Sequence, residues 1–197
     1  MIKTFKNPSG IKNGEMDQRI IINNQEFLLT KLDHPERIDE MGALRVQAWK
    51  EENGISKSFF ANATWIDDDD VRAHHWIITL DGMIVAAARM SFHDCYATVP
   101  HSDLFDEAEL GAHNTPPFAS LNRLVVAPEH RGKGFSGLLD NARIAFAKES
   151  GIKVIIAQPI ASRIEPLEKL GFSYIGKIRP LYQMPDRQIY FMIMELR

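Results

Sequence analysis

The chain has 197 residues with a formal net charge of −3 at pH 7, and 45% of its residues are hydrophobic. These proportions are typical of a globular domain, and the charge argues against a general nucleic-acid or membrane-surface binder. The single cysteine, Cys95, excludes a disulfide framework and a multi-cysteine metal site and fits a reducing compartment. Residues 1–13 lack the pattern of a signal peptide, and no apolar run approaches the ~20 residues of a membrane span. We therefore expect a cytoplasmic protein.

The first half of the chain is predicted to hold strands, one helix and a hairpin after a segment rich in turn residues. Runs of β-branched and aromatic residues mark the strands, and apolar residues at helical spacing mark the helix. Asp33, with Glu36 three residues later, has a capping-box pattern for the helix start. In chain order we expect a flexible leader at 1–18, strands at 20–22 and 27–29, a helix from Asp33 to about Glu52, a lid or short helix at 55–70, and a hairpin of 76–80 and 83–90 turning at Asp81-Gly82.

The second half alternates strands and helices after a polar segment at 92–118, which we expect to loop over a sheet edge. The apolar run at 154–157 does not alternate with polar residues, as is typical of a strand covered on both faces. The expected elements are strands at 121–126, 154–157, 174–178 and 189–196, with helices ending near Gly151 and Gly171. This order predicts an α/β fold in one domain, 19–197, with a single mixed, mostly antiparallel sheet of about seven strands and helices on both faces.

The clearest functional signal lies at residues 131–136, between the strand at 121–126 and the following helix. Gly132 and Gly134 allow backbone amides to approach a ligand closely, and the helix N-terminus favours negative charge. Arg131 and Lys133 add positive charge. The spacing is neither that of a nucleoside-triphosphate loop nor Gly-x-Gly-x-x-Gly. The segment therefore predicts an anion site, with an ordinary basic turn as the alternative.

Residues 124–136, Leu-Val-Val-Ala-Pro-Glu-His-Arg-Gly-Lys-Gly-Phe-Ser, resemble the coenzyme-A motif of GNAT-type N-acetyltransferases. Arg131 and Gly134 match the family's Arg/Gln-x-x-Gly-x-Gly/Ala pattern, and Ser136 stands where Gly or Ala is usual. Residues 168–172, Glu-Lys-Leu-Gly-Phe, resemble the family's late helix-to-strand signature. The resemblance covers about residues 20–197 and implies a GNAT-like sheet with one splayed pair of strands.

The same resemblance implies acetyl-CoA as the cosubstrate and an amine, on a small molecule or a peptide, as the acceptor. It leaves a homodimer possible and gives no role to a metal. Backbone groups of three strand residues would contact the pantetheine arm, and the loop would surround the pyrophosphate. The cofactor-binding residues implied in this way are Leu124, Val125, Val126, Arg131, Gly132, Lys133, Gly134, Phe135 and Ser136.

The catalytic residues of the family do not carry over, so no acid or base is assigned. Ser120 occupies the position of the usual Glu base, and Leu167 that of the usual Tyr acid. Charged residues near or within apolar strands, Arg89 and Arg123, predict either an internal salt bridge or a carboxylate site. The substitutes that the sequence offers are His75, His93, His101 and His113, Glu107 and Glu109 acting through a water, Tyr174, Tyr182 and Tyr190, Cys95 as a nucleophile or a buried inert thiol, and Asp67–Asp70 as an amine attractant or a solvated run.

Three functions remain open at this stage. The first is direct transfer of an acetyl group from acetyl-CoA to an amine in a ternary complex. The second is transfer of a longer acyl chain from CoA or a carrier protein, as in acyl-homoserine lactone and N-acyl amino acid synthases. The third, from another class, is a non-catalytic CoA-binding sensor or interaction module.

Overall fold

The computed structural model describes residues 3–6, 17–52, 60–181 and 186–196. These residues contain strands, α-helices and several short 3-10 turns. The strands and helices are, in chain order, β1 Lys3–Lys6, β2 Gln18–Ile22, β3 Gln25–Leu32, α1 Ile38–Lys50, β4 His74–Leu80, β5 Met83–His93, β6 Phe118–Val126, α2 Phe135–Glu149, β7 Val154–Ala157, α3 Ile164–Glu168, β8 Ser173–Ile178 and β9 Ile189–Glu195.

The strands of the described chain form one mixed sheet in the order β1-β2-β3-β4-β5-β6-β7-β9-β8. The predicted fold class is confirmed, although the described residues hold nine strands where about seven were expected. β6 and β7 are parallel and pair from Phe118 with Val154 to Leu121 with Ala157. β7 ends there, whereas β6 continues for five residues to Val126. β6 therefore extends beyond its pairing with β7, and the splay that the resemblance implies stays a prediction.

The residues cluster into two compact units, which are taken separately below. The predicted division into a leader and a single domain stays a prediction, although Lys3–Lys6 of the expected leader pair with β2 as a strand. The first unit comprises Met1–Glu52, Phe60–Arg89 and Arg123–Leu139, and the second comprises Asn53–Phe59, Met90–Asn122 and Asp140–Arg197.

In the first unit, α1 buries the apolar face that its sequence spacing predicts. Met41, Leu44 and Ala48 belong to one core cluster with residues of β3, β4 and β5, and Ile38 and Trp49 pack against it. Gly42 allows a close approach on this helix, because a Cβ there would lie 2.8 Å from Ile66 Cγ1. The predicted apolar face of this helix is therefore confirmed.

The predicted start of α1 is wrong. Arg37, at φ 52°, precedes the helix, and Asp33 lies in the turn before it. The Glu36 amide donates to the Asp33 backbone carbonyl at 2.8 Å, while the Asp33 side chain accepts from Lys31 Nζ at 3.2 Å. Because that carboxylate is engaged elsewhere, it does not cap the helix.

The hairpin of β4 and β5 is confirmed. Asp81 and Gly82 both have positive φ, 50° and 81°, which is the backbone of a two-residue type I′ turn. β5 extends three residues beyond the predicted end, to His93. Its last residue is therefore part of the sheet.

In the second unit, the segment expected as one loop is instead locally ordered. It forms 3-10 turns at Tyr96–Thr98, Ser102–Leu104 and Glu107–His113, and β6 begins at Phe118. Buried apolar side chains hold it, since Phe105 stacks on Phe191 with ring centroids 4.1 Å apart. Within the described residues, none of the helices has the length and hydropathy needed to cross a bilayer.

Candidate functional site

The loop at 131–136 lies in the first unit and leads directly into α2. Gly132 and Gly134 have φ of 76° and 81°, and a Cβ on Gly132 would meet nothing within 4 Å. Leu138 donates the first bond of the helix, to the Gly134 carbonyl at 3.2 Å. The first turn of an α-helix generally presents amides that the helix itself does not pair, and helix N-termini bind anions for this reason.

The two cationic side chains of this loop contact the protein itself. Arg131 Nη2 donates to the Ala48 carbonyl at 3.1 Å and lies 3.2 Å from Glu52 Oε1, at the end of α1. Lys133 Nζ lies 3.0 Å from His130 Nδ1 and 5.6 Å from the Phe27 ring centroid. The loop therefore offers a ligand its backbone first, with these charges beside it.

The apolar side chains of the predicted CoA site differ in how deeply they are buried. Val125 and Phe135 are buried, and Phe135 packs edge-on against Phe27 with ring centroids 4.9 Å apart. Leu124 and Val126 are half-buried. Because the buried side chains belong to the core, any contact by Val125 or Phe135 with CoA would be made by the backbone, as the resemblance implies.

Three arginines and two aspartates form a charge cluster in the first unit. Arg89 Nη1 pairs with Asp67 Oδ1 and lies 3.1 Å from Asp70 Oδ1. Arg123 Nε donates to Asp67 Oδ2 at 3.2 Å, and its Nη2 pairs with the same oxygen. Arg45, from α1, contacts both Asp70 oxygens at 2.9 Å. Of the two interpretations left open for Arg89 and Arg123, the internal salt bridge is confirmed.

The expectation that residues 67–70 are either solvated or attract an amine is wrong for Asp67 and Asp70. Asp70 is fully buried and Asp67 is mostly buried. Burial by itself would raise the pKa of Asp70, but hydrogen bonds from Arg45 and the Asp67 amide, with the Arg89 charge, lower it to about 2. Burial also tends to raise the pKa of Asp67. The charges and hydrogen bonds of Arg123 and Arg89 outweigh this effect, so the pKa is lowered.

Arg45 is the member of this cluster that sequence reasoning missed. It lies four residues after Met41 and four before Trp49, on the apolar face of α1, and its side chain is 1% exposed. A charge at a core position of a helix indicates a buried partner, so this spacing was the available signal. His75 is also fully buried, and its Nε2 lies 3.0 Å from the Asp70 carbonyl.

A second polar group, the Ser120 cluster, lies in the second unit and consists of Ser91, His93, Ser120 and Asn122. The Ser120 hydroxyl oxygen lies 2.9 Å from His93 Nε2 and 3.1 Å from the Ser91 hydroxyl. It also accepts from Asn122 Nδ2 at 3.1 Å. The residue in the usual position of the Glu base is thus in direct contact with one of the four candidate histidines.

Hydrogen bonding on the far side of the ring favours a proton on His93 Nδ1. The Thr98 hydroxyl donates to the Cys95 carbonyl at 2.9 Å, so at 3.3 Å it accepts from His93 Nδ1. A neutral ring protonated on Nδ1 carries a lone pair on Nε2, towards Ser120. The arrangement of a hydroxyl, an imidazole and an orienting third group can accept a proton.

The structure places the other candidates in different surroundings. His113 Nδ1 lies 2.6 Å from Glu195 Oε1, and Glu107 accepts from Asn114. Cys95 is exposed, which corrects the expectation of a buried thiol, since it sits in a surface turn. His101 directly precedes the turn Ser102–Leu104, and Glu109 lines a surface cleft together with Lys177. Tyr174 is exposed, and the centroid of its ring lies 6.1 Å from that of Tyr190. Leu167 is buried in α3, and Tyr182 lies outside the described residues.

The sequence matches the model of the acetyltransferase (GNAT) family over residues 38–172, more than half of the chain. The chain belongs to the GNAT acyltransferase family. The match includes the loop at 131–136 and the Ser120 cluster, and it supports transferase activity of this family. Among curated proteins, none matches this GNAT chain.

Solved structures similar to this GNAT protein differ in the acyl groups that their descriptions name. A Drosophila melanogaster polyamine N-acetyltransferase aligns with a TM-score of 0.63 at 15% identity, over 86% of this chain and all of the other. FeeM, an N-acyl amino acid synthase from uncultured soil microbes, aligns with 0.65 at 14%, over 86% and 91%. BjaI, a CoA-dependent acyl-homoserine lactone synthase with SAM and isopentyl-CoA, aligns with 0.62 at 12%, over 85% and 82%. These likenesses show the fold alone.

The buried Asp70 carboxylate generates a prediction about stability against pH. Its pKa is lower in the folded protein than the usual value near 4, so it stabilises the fold above that value and progressively less as pH falls towards 2. We expect Asp70→Asn to lower the free energy of unfolding by about 2–4 kcal/mol at neutral pH. The deficit should shrink by about 1 kcal/mol at a pH of about 3.

Urea unfolding of both proteins at the two pH values measures this difference. Asp68→Asn is the matched control, because Asp68 is an exposed neighbour in the same turn, and its effect should stay within about 0.5 kcal/mol at both values. An Asp70→Asn deficit that does not change with pH would contradict the role of the charge.

Proposed function

We propose that this protein is an N-acyltransferase that moves an acetyl group from acetyl-CoA to an amine in a ternary complex. The observation that carries the proposal is the glycine loop at 131–136, in which Gly132 and Gly134 have positive φ and which continues into the N-terminus of α2. Such a site suits a diphosphate, because backbone amides and the helix dipole stabilise its negative charge and glycines leave room for its oxygens. The CoA-dependent relative BjaI supports the choice of a CoA thioester.

The chemistry needs a deprotonated amine that attacks the thioester carbonyl carbon. The new C–N bond forms as the C–S bond breaks, and CoA leaves as its thiol once a proton reaches the sulfur. An ammonium group must first lose a proton to a base. We infer that the Ser120 cluster supplies this base: the amine proton passes to the Ser120 hydroxyl oxygen while the Ser120 proton passes to His93 Nε2. His93 then carries the charge as an imidazolium whose Nδ1 proton remains hydrogen-bonded to the Thr98 hydroxyl oxygen.

The loop generates a prediction about CoA affinity. Gly134→Ala forces a side chain into a backbone region that favours glycine, and the strain is expected to move the amides proposed to bind the diphosphate. We expect the Kd for CoA, measured by isothermal titration calorimetry, to rise by roughly 10-fold or more. Gly151→Ala is the matched control, because Gly151 has φ of 74° and open space but follows the far end of α2; equal losses in both variants would contradict the proposal.

The acyl chain is tested by release of CoA thiol from a series of donors, from acetyl to dodecanoyl, with a broad panel of amines. We expect acetyl-CoA to give the highest kcat/KM. A preference for chains of about eight carbons or more would replace the first hypothesis by a longer-chain N-acyltransferase. If CoA binds but no combination of donor and amine is turned over, the protein is a non-catalytic CoA-binding protein. If CoA does not bind, both the transferase and the CoA-binding hypotheses are overturned.

The assignment of the base generates a separate prediction. His93→Gln keeps a hydrogen bond to Ser120 but cannot take up a proton, so kcat should fall by roughly 100-fold while KM for acetyl-CoA stays within a factor of about three. Steady-state kinetics on the donor and acceptor found above measures the split. His101→Asn is the control, because Asn tolerates the positive φ of His101; an equal effect of both substitutions would contradict the role of His93.

A further inference from the structure

The four side chains of the Ser120 cluster come from two adjacent strands. Ser91 and His93 lie two residues apart on β5, and Ser120 and Asn122 lie two residues apart on β6, its neighbour in the sheet. Residues two apart on a strand share one face of the sheet. Ser91 and Ser120 are only 7% and 4% exposed, so their hydroxyl groups depend on protein partners for hydrogen bonds.

Asn122 is the fixed donor of this cluster. Its Nδ2 lies 3.1 Å from Ser120 Oγ, 3.2 Å from Ser91 Oγ and 3.4 Å from the Ser120 backbone carbonyl. Because a carbonyl only accepts, the side-chain atom that faces it is the amide nitrogen and not the amide oxygen. The Asn122 backbone carbonyl in turn accepts from Arg143 Nη1 at 3.3 Å, and Arg143 pairs with Asp140 in the interior. Both serine oxygens therefore accept a hydrogen bond from a firmly held donor.

The other hydrogen bonds of the cluster run in one direction. The Ser91 hydroxyl has one acceptor among the described residues, the Ser120 oxygen at 3.1 Å, and so donates to it. Ser120 Oγ then accepts twice, which leaves its own proton for His93 Nε2 at 2.9 Å. This direction agrees with the proton that Thr98 favours on His93 Nδ1, at the other side of the ring. The chain therefore runs from Ser91 through Ser120 to His93.

The oxygens of this chain differ in their capacity to accept a further proton. Both lone pairs of Ser120 Oγ are engaged, whereas within the described chain Ser91 Oγ accepts only from Asn122 and keeps one lone pair open. Thr98 Oγ1 also has an open lone pair, but its own proton points to a backbone carbonyl, which is too weak a base to take it. A proton can therefore enter at Ser91 and move on to the imidazole of His93.

We propose that Ser91 is a further catalytic residue, which takes the proton from the ammonium group of the acceptor. This inference rests on the proposed function and adds one step between the amine and Ser120. As Ser91 Oγ gains the ammonium proton, its own proton passes to Ser120 Oγ, and the proton of Ser120 passes to His93 Nε2. Each hydroxyl ends with one proton, His93 becomes an imidazolium, and the amine keeps the electron pair with which it attacks. Asn122 is a positioning residue, because it can donate to both oxygens before and after the transfer.

The kinetic test compares Ser91→Ala with Ser91→Thr on the donor and acceptor that give the highest turnover. We expect Ser91→Ala to lower kcat roughly 10- to 100-fold while KM for acetyl-CoA stays within a factor of about three. Ser91→Thr keeps the hydroxyl group and should retain at least about a third of the wild-type kcat. An unchanged kcat in Ser91→Ala, or an equal loss in Ser91→Thr, would overturn the proposal.

Ser102→Ala is the matched control for the loss of a serine hydroxyl in the second unit. The Ser102 hydroxyl donates to the Ala97 carbonyl at 3.1 Å and belongs to a surface turn. We expect this variant to keep the wild-type kcat. A loss equal to that of Ser91→Ala would contradict the specific role of Ser91.

A double variant distinguishes a shared proton path from a loss of packing. Ser91→Ala and His93→Gln should interrupt the same path, so kcat of the double variant is expected to stay within a factor of about three of His93→Gln alone. Independent effects on packing would instead multiply. Losses that multiply would therefore overturn the proposal.

A tautomer measurement tests the chain even if no acceptor is turned over, a result that by itself would refute only the proposed function. Long-range ¹H–¹⁵N NMR of the His93 ring, at a pH at which the ring is neutral, reports which nitrogen carries the proton. We expect the proton on Nδ1 in the wild type and a shift towards Nε2 in Thr98→Val, which removes the oxygen that accepts from Nδ1. A wild-type proton on Nε2 would overturn the direction of the chain, and with it the role of Ser91, independently of turnover.

Discussion

The ion pairs of Asp67 and Asp70 are the interaction on which the first unit depends. Two carboxylates three residues apart hold guanidinium groups from α1, β5 and β6, so one short turn joins a helix to two strands. Buried charges of this kind are costly singly and acceptable only together, because removal of one partner leaves a buried charge uncompensated. The position of β6, and of the loop that follows it, is therefore tied to residues 67–70.

The loop at 131–136 illustrates how a binding motif can tolerate substitution. Its arginine and lysine are engaged by Ala48, Glu52 and His130, and its Phe135 side chain belongs to the core. Gly132 and Gly134 shape the backbone of the loop by their positive φ. A Ser at 136 instead of Gly or Ala changes little, because the proposed contacts with a diphosphate are made by amides common to all three residues.

The positions of the family's usual acid and base are more sensitive to substitution, because their roles depend on side chains. Leu167 is buried in α3 and has no proton to give, so the usual acid has no counterpart at that position. Ser120 has no basicity of its own, yet it contacts His93 on another strand and Asn122 two residues along its own strand. The base that we propose, His93, therefore lies on a different strand from Ser120, and no spacing along the chain reveals this contact.

The sequence by itself determined the fold class, the β4–β5 hairpin, the apolar face of α1 and the glycine loop, because each follows from local periodicity or backbone preference within a short window. It also showed that Arg89 and Arg123 needed partners. Only the tertiary structure decided which ones: Asp67 and Arg123 are 56 residues apart, and His93 and Ser120 are 27 apart. Pairings at such separation depend on strand order and register, which a single sequence does not encode locally. The ordered turns at 96–113 were missed for the same reason, since their buried side chains are held by distant residues such as Phe191.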